Sequence, residues 1–169
     1  LVSMCGTMDR LGVSEGGLFQ VLLEPARQPW ATSMVHAVCL DDGKPFFNND
    51  SELVSQARSK AARPIYAVAV RVAVRGANRP RSMELLKALS GALRPMGNPV
   101  GNQLVPLNDE GYSNIDRIAD LAFRQSRRPG MLLNSDELIA LAHLPTAAVR
   151  AKSLRRVLRP TKPAPDALT

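Results

Sequence analysis

Aromatic side chains are scarce: Phe, Tyr and Trp make up 4% of the 169 residues. Any core must therefore be built from Leu, Val, Ile, Ala and Met. The stacking platforms on which unpaired bases rest are nearly absent. Cysteine is scarce too. Cys5 and Cys39 stand far apart, and neither lies at ligand spacing with His36 or His143, which argues against a zinc site. Both read as small buried apolar residues of a reduced chain. No window approaches the roughly 20 apolar residues that cross a bilayer. Leu1–Leu11 mixes in polar residues and lacks the basic start of a secretory signal. Phosphate-cradling glycine patterns are missing as well. There is no G-x-x-x-x-G-K-S/T and no G-x-G-x-x-G, so this chain is not expected to hydrolyse ATP by itself. A nucleophile elbow is also lacking, and neither histidine sits in a base signature.

What is plentiful is positive charge. The formal net charge is +7 and the pI about 10.1, which permits attraction to nucleic acid or to an anionic membrane face. Arg117, Arg124, Arg127 and Arg128 make the last third basic. The candidate contact for DNA phosphates or acidic lipid is Arg150, Lys152, Arg155, Arg156, Arg159 and Lys162, since cations bind phosphate without reading sequence. The acidic pairs Asp41-Asp42, Asp109-Glu110 and Asp136-Glu137 each fall in a turn or at a helix start, where carboxylates are favoured for structural reasons.

Periodicity divides the chain into a lead-in at 1–13, a domain at 14–149 and a basic, proline-containing tail at 150–169. Leu18–Glu24 is a strand, so continuously apolar that it reads as lying inside a sheet. Trp30 reads as a plug over a sheet end, and 31–40 fits helix or strand. Asp50 or Ser51 caps a helix to about Ala62, with Leu53, Val54 and Ala57 inward and Arg58 and Lys60 outward. Arg63–Arg75 is the clearest strand: Tyr66, Val68, Val70, Val72 and Val74 form one apolar face, which should place it centrally. Ser82–Arg94 spaces Met83, Leu86, Leu89, Ser90 and Leu93 as a helix. Gly101–Leu107 is a shorter strand, made an edge by Pro106. Ile115–Arg127 is a helix with Ile115, Ile118, Ala119, Ala122 and Phe123 on one side. The order predicts an α+β fold, a mostly antiparallel sheet with helices packed on one face, ferredoxin-like with additional helices.

The most informative stretch is Met131–Pro145, MLLNSDELIALAHLP. Met131–Leu133 makes a short strand, Asn134 or Ser135 an N-cap, and Asp136 and Glu137 sit at the electropositive helix end. Leu138, Leu141 and Ala142 share a face, and Pro145 stops the helix. His143 reads as satisfying the last carbonyls.

At Leu133, Asn134, Glu137, Leu138, Leu141, His143, Leu144 and Pro145 this stretch resembles the Leu-Ser/Asn-x-x-Glu-Leu-Ala-x-Leu-x-His-x-Pro segment of HerA/FtsK-like DNA-pumping ATPases of conjugative transfer and type IV secretion. It departs where the family has a second small residue, at Ile139 or Ala140. Pro64, Tyr66, Val68, Val70, Arg71 and Val72 resemble the family's Pro-aromatic-x-Val-x-Ile-Arg-Val strand. In that family the segment precedes the nucleotide-binding motor. The resemblance implies a non-catalytic N-terminal domain, a scaffold for oligomerisation and docking. Its implied partners are the motor domain of the same chain, further copies of itself and membrane-associated transfer proteins. The implied location is cytoplasmic, peripheral at the inner face of the cell membrane. No cofactor is implied for this segment; ATP and Mg would belong to the motor. Leu1 is not a methionine, as in a piece of a longer protein. The alternatives are a basic nucleic-acid-binding protein with DNA as its partner and, more remotely, a small hydrolase.

Overall fold

A computed structural model describes residues 2–27, 29–40, 42–46, 51–97, 103–107, 111–128, 130–143, 149 and 151. Its centre is an antiparallel sheet in chain order: β1 (Gly16–Pro25), β2 (Ile65–Arg75) and β3 (Met131–Asn134). β1 and β2 pair without a bulge from Gly16↔Arg75 to Pro25↔Tyr66, and β3 pairs from Val68↔Met131 to Ile65↔Asn134. The class is α+β. Around the sheet lie α1 (Val2–Met8), α2 (Trp30–His36), α3 (Ser51–Ala61), α4 (Arg79–Gly91), α5 (Asn114–Phe123) and α6 (Ser135–Ala142). A 3-10 turn at Arg94–Met96 follows α4.

Alternation on β2 puts its valines on one face, which carries both apolar clusters. Val68, with Tyr66 and Val70, packs with Leu133 and Leu141 in one cluster. Val72 and Val74 pack with Met4, Leu89 and Leu93 in the other. Val70, Met96 and Leu104 touch both, so the two clusters make one continuous layer under α1, α4 and α6. Leu89 is fully buried and Val68 nearly so, each contributing about 2 kcal/mol by removal from water.

Several expectations are corrected. β1 is an edge strand: among the described residues its neighbour is β2 alone, and its apolar run fills the core face through Phe19 and Val21 while Leu18 and Leu23 stay exposed. Gln103–Leu107, the described part of the expected third strand, forms no strand; Leu104 alone turns inward. Pro106 has no N–H to give a ladder, and β3 takes that edge of the sheet instead. α4 begins earlier than its apolar spacing suggests, because Asn78 caps it by accepting from the Arg81 amide and Pro80 fits the first turn. Its buried side chains are Leu85 and Leu89, while Met83 is exposed. Trp30 opens α2 and remains 43% exposed, so it plugs nothing. Cys5 and Cys39 are half-buried rather than buried. Lys60 turns inward, pairing with Glu137 at 2.9 Å. The ambiguous 31–40 segment is α2 followed by a turn and a lone Cys39–Pro45 bridge.

Met131–His143 folds as its local chemistry directs; Pro145, expected to stop the helix, lies outside the described residues. Asn134 accepts from the Glu137 amide at 2.9 Å, and the Glu137 carboxylate accepts from the Asn134 amide at 2.9 Å, closing a capping box. His143 Nδ1 lies 2.9 Å from the Ile139 carbonyl oxygen.

Candidate functional site

The site begins with a charge in an awkward place. Arg71 sits in the middle of β2, on the face opposite the valines, and its side chain is only 17% exposed. A cation so placed needs a counter-charge and acceptors. α5 supplies both. Arg71 donates to the carbonyls of Asp120 at 3.0 Å and Gln125 at 2.5 Å, and to Gln20 Oε1 at 3.3 Å. Gln20 in turn donates to the Leu121 carbonyl at 3.2 Å. The guanidinium thus meets the electronegative end of α5. Ser113 caps the other end, accepting from the Asp116 amide.

Asp120 is the hub. It is fully buried. One carboxylate oxygen accepts from the Tyr112 hydroxyl at 2.5 Å and from the Arg127 amide at 3.0 Å. The other faces the Arg127 guanidinium at 3.2 Å without hydrogen-bond alignment. The chain reaches this arrangement because Arg124 ends α5 in a left-handed conformation (φ 54°), reversing the backbone so that 125–127 folds back over the helix. The Tyr112 hydroxyl, then the Arg127 amide, hold the Asp120 carboxyl below the usual range. Burial and the Asp120 bond push the Tyr112 phenol up, keeping it a donor.

This clasp decides which side of α5 faces water. Asp116, Asp120 and Leu121 turn toward the protein. Ile115, Ile118 and Phe123 turn away and are 81%, 68% and 74% exposed. A helix normally buries its apolar stripe; α5 presents it. Of the arginines around it, Arg127 is bound to Asp116 at 2.7 Å, Arg128 lies over the Tyr112 ring at 4.7 Å, and Arg117 bonds Asn114. Most of the positive charge here is therefore committed to protein partners, unlike a phosphate-binding face. The expected contact residues Arg150, Lys152, Arg155, Arg156, Arg159 and Lys162 lie outside the described residues.

The sequence places Ile115, Ile118 and Phe123 on one side of a helix but gives them no functional role. The spacing shows an amphipathic helix but not which side goes inward. The signal was Arg71, a charge in the middle of an apolar strand that had to draw a carboxylate toward the sheet.

A second ion pair ties the turn before β1 to α4. Glu15 accepts from Arg81 at 2.7 and 3.1 Å, and the Arg81 guanidinium with the Gly12 amide lowers its carboxyl from 4.5 to about 2. Both depressed groups, Glu15 and Asp120, stabilise the fold fully above the ordinary carboxylate range. That contribution fades as pH falls through their folded-state values. Resistance to urea should therefore decline from about pH 4.5 toward pH 2, and Glu15→Gln should flatten part of the slope. Urea midpoints at half-unit pH steps check this; parallel curves for the two proteins would contradict it.

Among the described residues no group of three His, Cys, Asp or Glu is placed to hold a metal ion, and no helix is long and apolar enough to cross a membrane. No family model matches this chain, and no match was found among curated proteins or solved structures.

Proposed function

We propose that this chain is a non-catalytic docking domain for a DNA-translocating ATPase of the conjugative or type IV secretion kind, standing before the motor and joining it to its neighbours. The observation that carries the docking role is the outward apolar face of α5. Burying a charged network under a helix while leaving Ile115, Ile118 and Phe123 in water is unfavourable for an isolated domain and sensible for one that meets a partner. The occupant is the motor domain of the same protein, offering an apolar patch with an acidic rim to match Arg124 at the end of the stripe. The motor identity rests on the resemblance of Met131–Pro145, of which Met131–Ala142 forms strand, capping box and helix. ATP and Mg belong to the motor, and the site of work is the cytoplasm at the inner face of the membrane.

The test uses the separately expressed motor domain encoded downstream, titrated with this chain by calorimetry. The parent should bind, and Ile118→Asp should weaken binding at least tenfold with an unchanged circular dichroism spectrum, since the side chain is 68% exposed. Equal binding by the variant, or micromolar ATP binding by this chain alone, would overturn the reading.

A further inference from the structure

β1 is ten residues long, and its outer edge has no backbone partner among the described residues. Proteins usually blunt such an edge with a bulge, a charge pointing inward or a proline within it. β1 has no bulge, its one proline is the last residue, and the side chains from Gly17 to Leu23 carry no charge. Beside the edge, on the core face, lies an open groove of about 560 Å³ lined by Met4 and Met8 of α1, Phe19, Val21 and Leu23 of β1, and Leu141 of α6. Among the described residues, the layer of side chains under the helices is therefore unfinished at the edge where a fourth strand would sit.

We propose that the missing strand is β1 of a second copy, paired antiparallel about a two-fold axis at Gln20, giving a continuous six-stranded sheet. The residues select the register. Centring on Gln20 sets Leu18 against Leu22, Phe19 against Val21, Gly17 against Leu23 and Gly16 against Glu24. Apolar residues meet apolar residues, an aromatic meets a β-branched side chain, and no like charges face each other. Leu18 and Leu23, exposed at 43% and 47%, would be covered.

Charge complementarity selects this occupant. Gly16 pairs with Arg75 on β2, so Glu24 of the second copy lies on the same row, with only a glycine between it and Arg75. The two Cα atoms would stand about 10 Å apart, two strand spacings, within reach of these long side chains. Gly16 leaves the path clear; even an added Cβ there would come no nearer than 3.9 Å to Arg75 Cβ. Arg75 is exposed with no ion-pair partner among the described residues, and Glu24 has only a loose contact with Arg27 at 4.0 Å. The two-fold axis makes two such Glu24–Arg75 pairs. This deepens the scaffold reading and rests on it for its biological purpose, while the pairing itself depends on β1 alone.

The experiment is sedimentation of the full 169-residue chain from low to about 100 µM, since self-association is read only against concentration. The parent should reach twice its 18.3 kDa mass. Glu24→Arg and Arg75→Glu, both on exposed side chains, should each weaken the dimer roughly tenfold, and the double charge swap should restore it. Leu22→Lys should leave a monomer with unchanged circular dichroism. A parent that stays monomeric throughout, a dimer indifferent to the single swaps, or a double swap that rescues nothing would each overturn the proposal. Motor binding through α5, measured on the same monomeric variants, is unaffected by that outcome, so failure of one reading is distinguishable from failure of the other.

Discussion

A chain carrying Asp120→Ala is expected to melt roughly 10 °C below the parent, as the largest loss from any single polar truncation described above. The reason is what the carboxylate leaves behind. Arg71 is 83% covered by the fold and would keep only neutral acceptors, the carbonyls of residues 120 and 125 and the Gln20 amide. The Tyr112 hydroxyl and the Arg127 amide would lose their acceptor in the same step. A buried cation without its counter-ion is far more costly than an absent ion pair. Hence Asp120→Ala with Arg71→Met should recover part of the lost melting temperature, although it removes more bonds. Asp120→Asn, which keeps an acceptor for Tyr112 but removes the charge, should fall between. Thermal melts of the four proteins check the order. A double variant no more stable than Asp120→Ala would mean that Arg71 is not the group left stranded.

The same substitution bears on docking. The clasp is what turns the polar side of α5 inward, so releasing it frees the helix to roll its apolar stripe toward the sheet. On the proposed docking role, the motor affinity of Asp120→Ala should then fall with that of Ile118→Asp, even at temperatures where the rest of the sheet is intact. Hydrogen exchange would show the loss of protection confined to 112–127, with β2 still protected.

How much of this was legible in the sequence follows from how local each signal is. The valine alternation of β2 and the cap of α6 need only neighbours a few residues away, and both appear where the residues put them. β1 was misplaced because a continuous apolar run has two explanations that sequence cannot separate: burial between strands, or an edge waiting for one. Gln103–Leu107 failed because alternation says nothing about whether a neighbouring edge is free, and β3 takes it. The α4 spacing holds at Leu89 and Leu93, which are core residues, and fails at Met83, because Leu85 and Leu86 support two adjacent stripes and only the position of the sheet selects Leu85. The orientation of α5 depends on Arg71, roughly fifty residues away in sequence and one layer away in space.

Gly130→Ala is expected to destabilise the fold by about 3 kcal/mol, a larger effect than its exposure suggests. Gly130 precedes β3, where the backbone passes directly over β2. A Cβ built there would stand 2.1 Å from the Val68 carbonyl oxygen, 2.8 Å from its carbon and 3.3 Å from the Ala69 nitrogen. These are main-chain atoms of the central strand, and no rotamer change relieves the overlap. β3 must move away, yet it has only four residues with which to hold its place. Its displacement withdraws Leu133 from the core and carries Asn134, the cap of α6, with it. Because α6 lines the groove beside β1, the self-association of the variant should weaken as well. The control is Gly6→Ala within α1, where an added Cβ meets nothing within 4 Å and the gain in helix propensity should stabilise by about 0.5–1 kcal/mol. The two substitutions are chemically identical and should move the urea midpoint in opposite directions. A Gly130→Ala protein that unfolds with the parent would mean that β3 does not approach β2 as closely as the Val68–Met131 pairing requires.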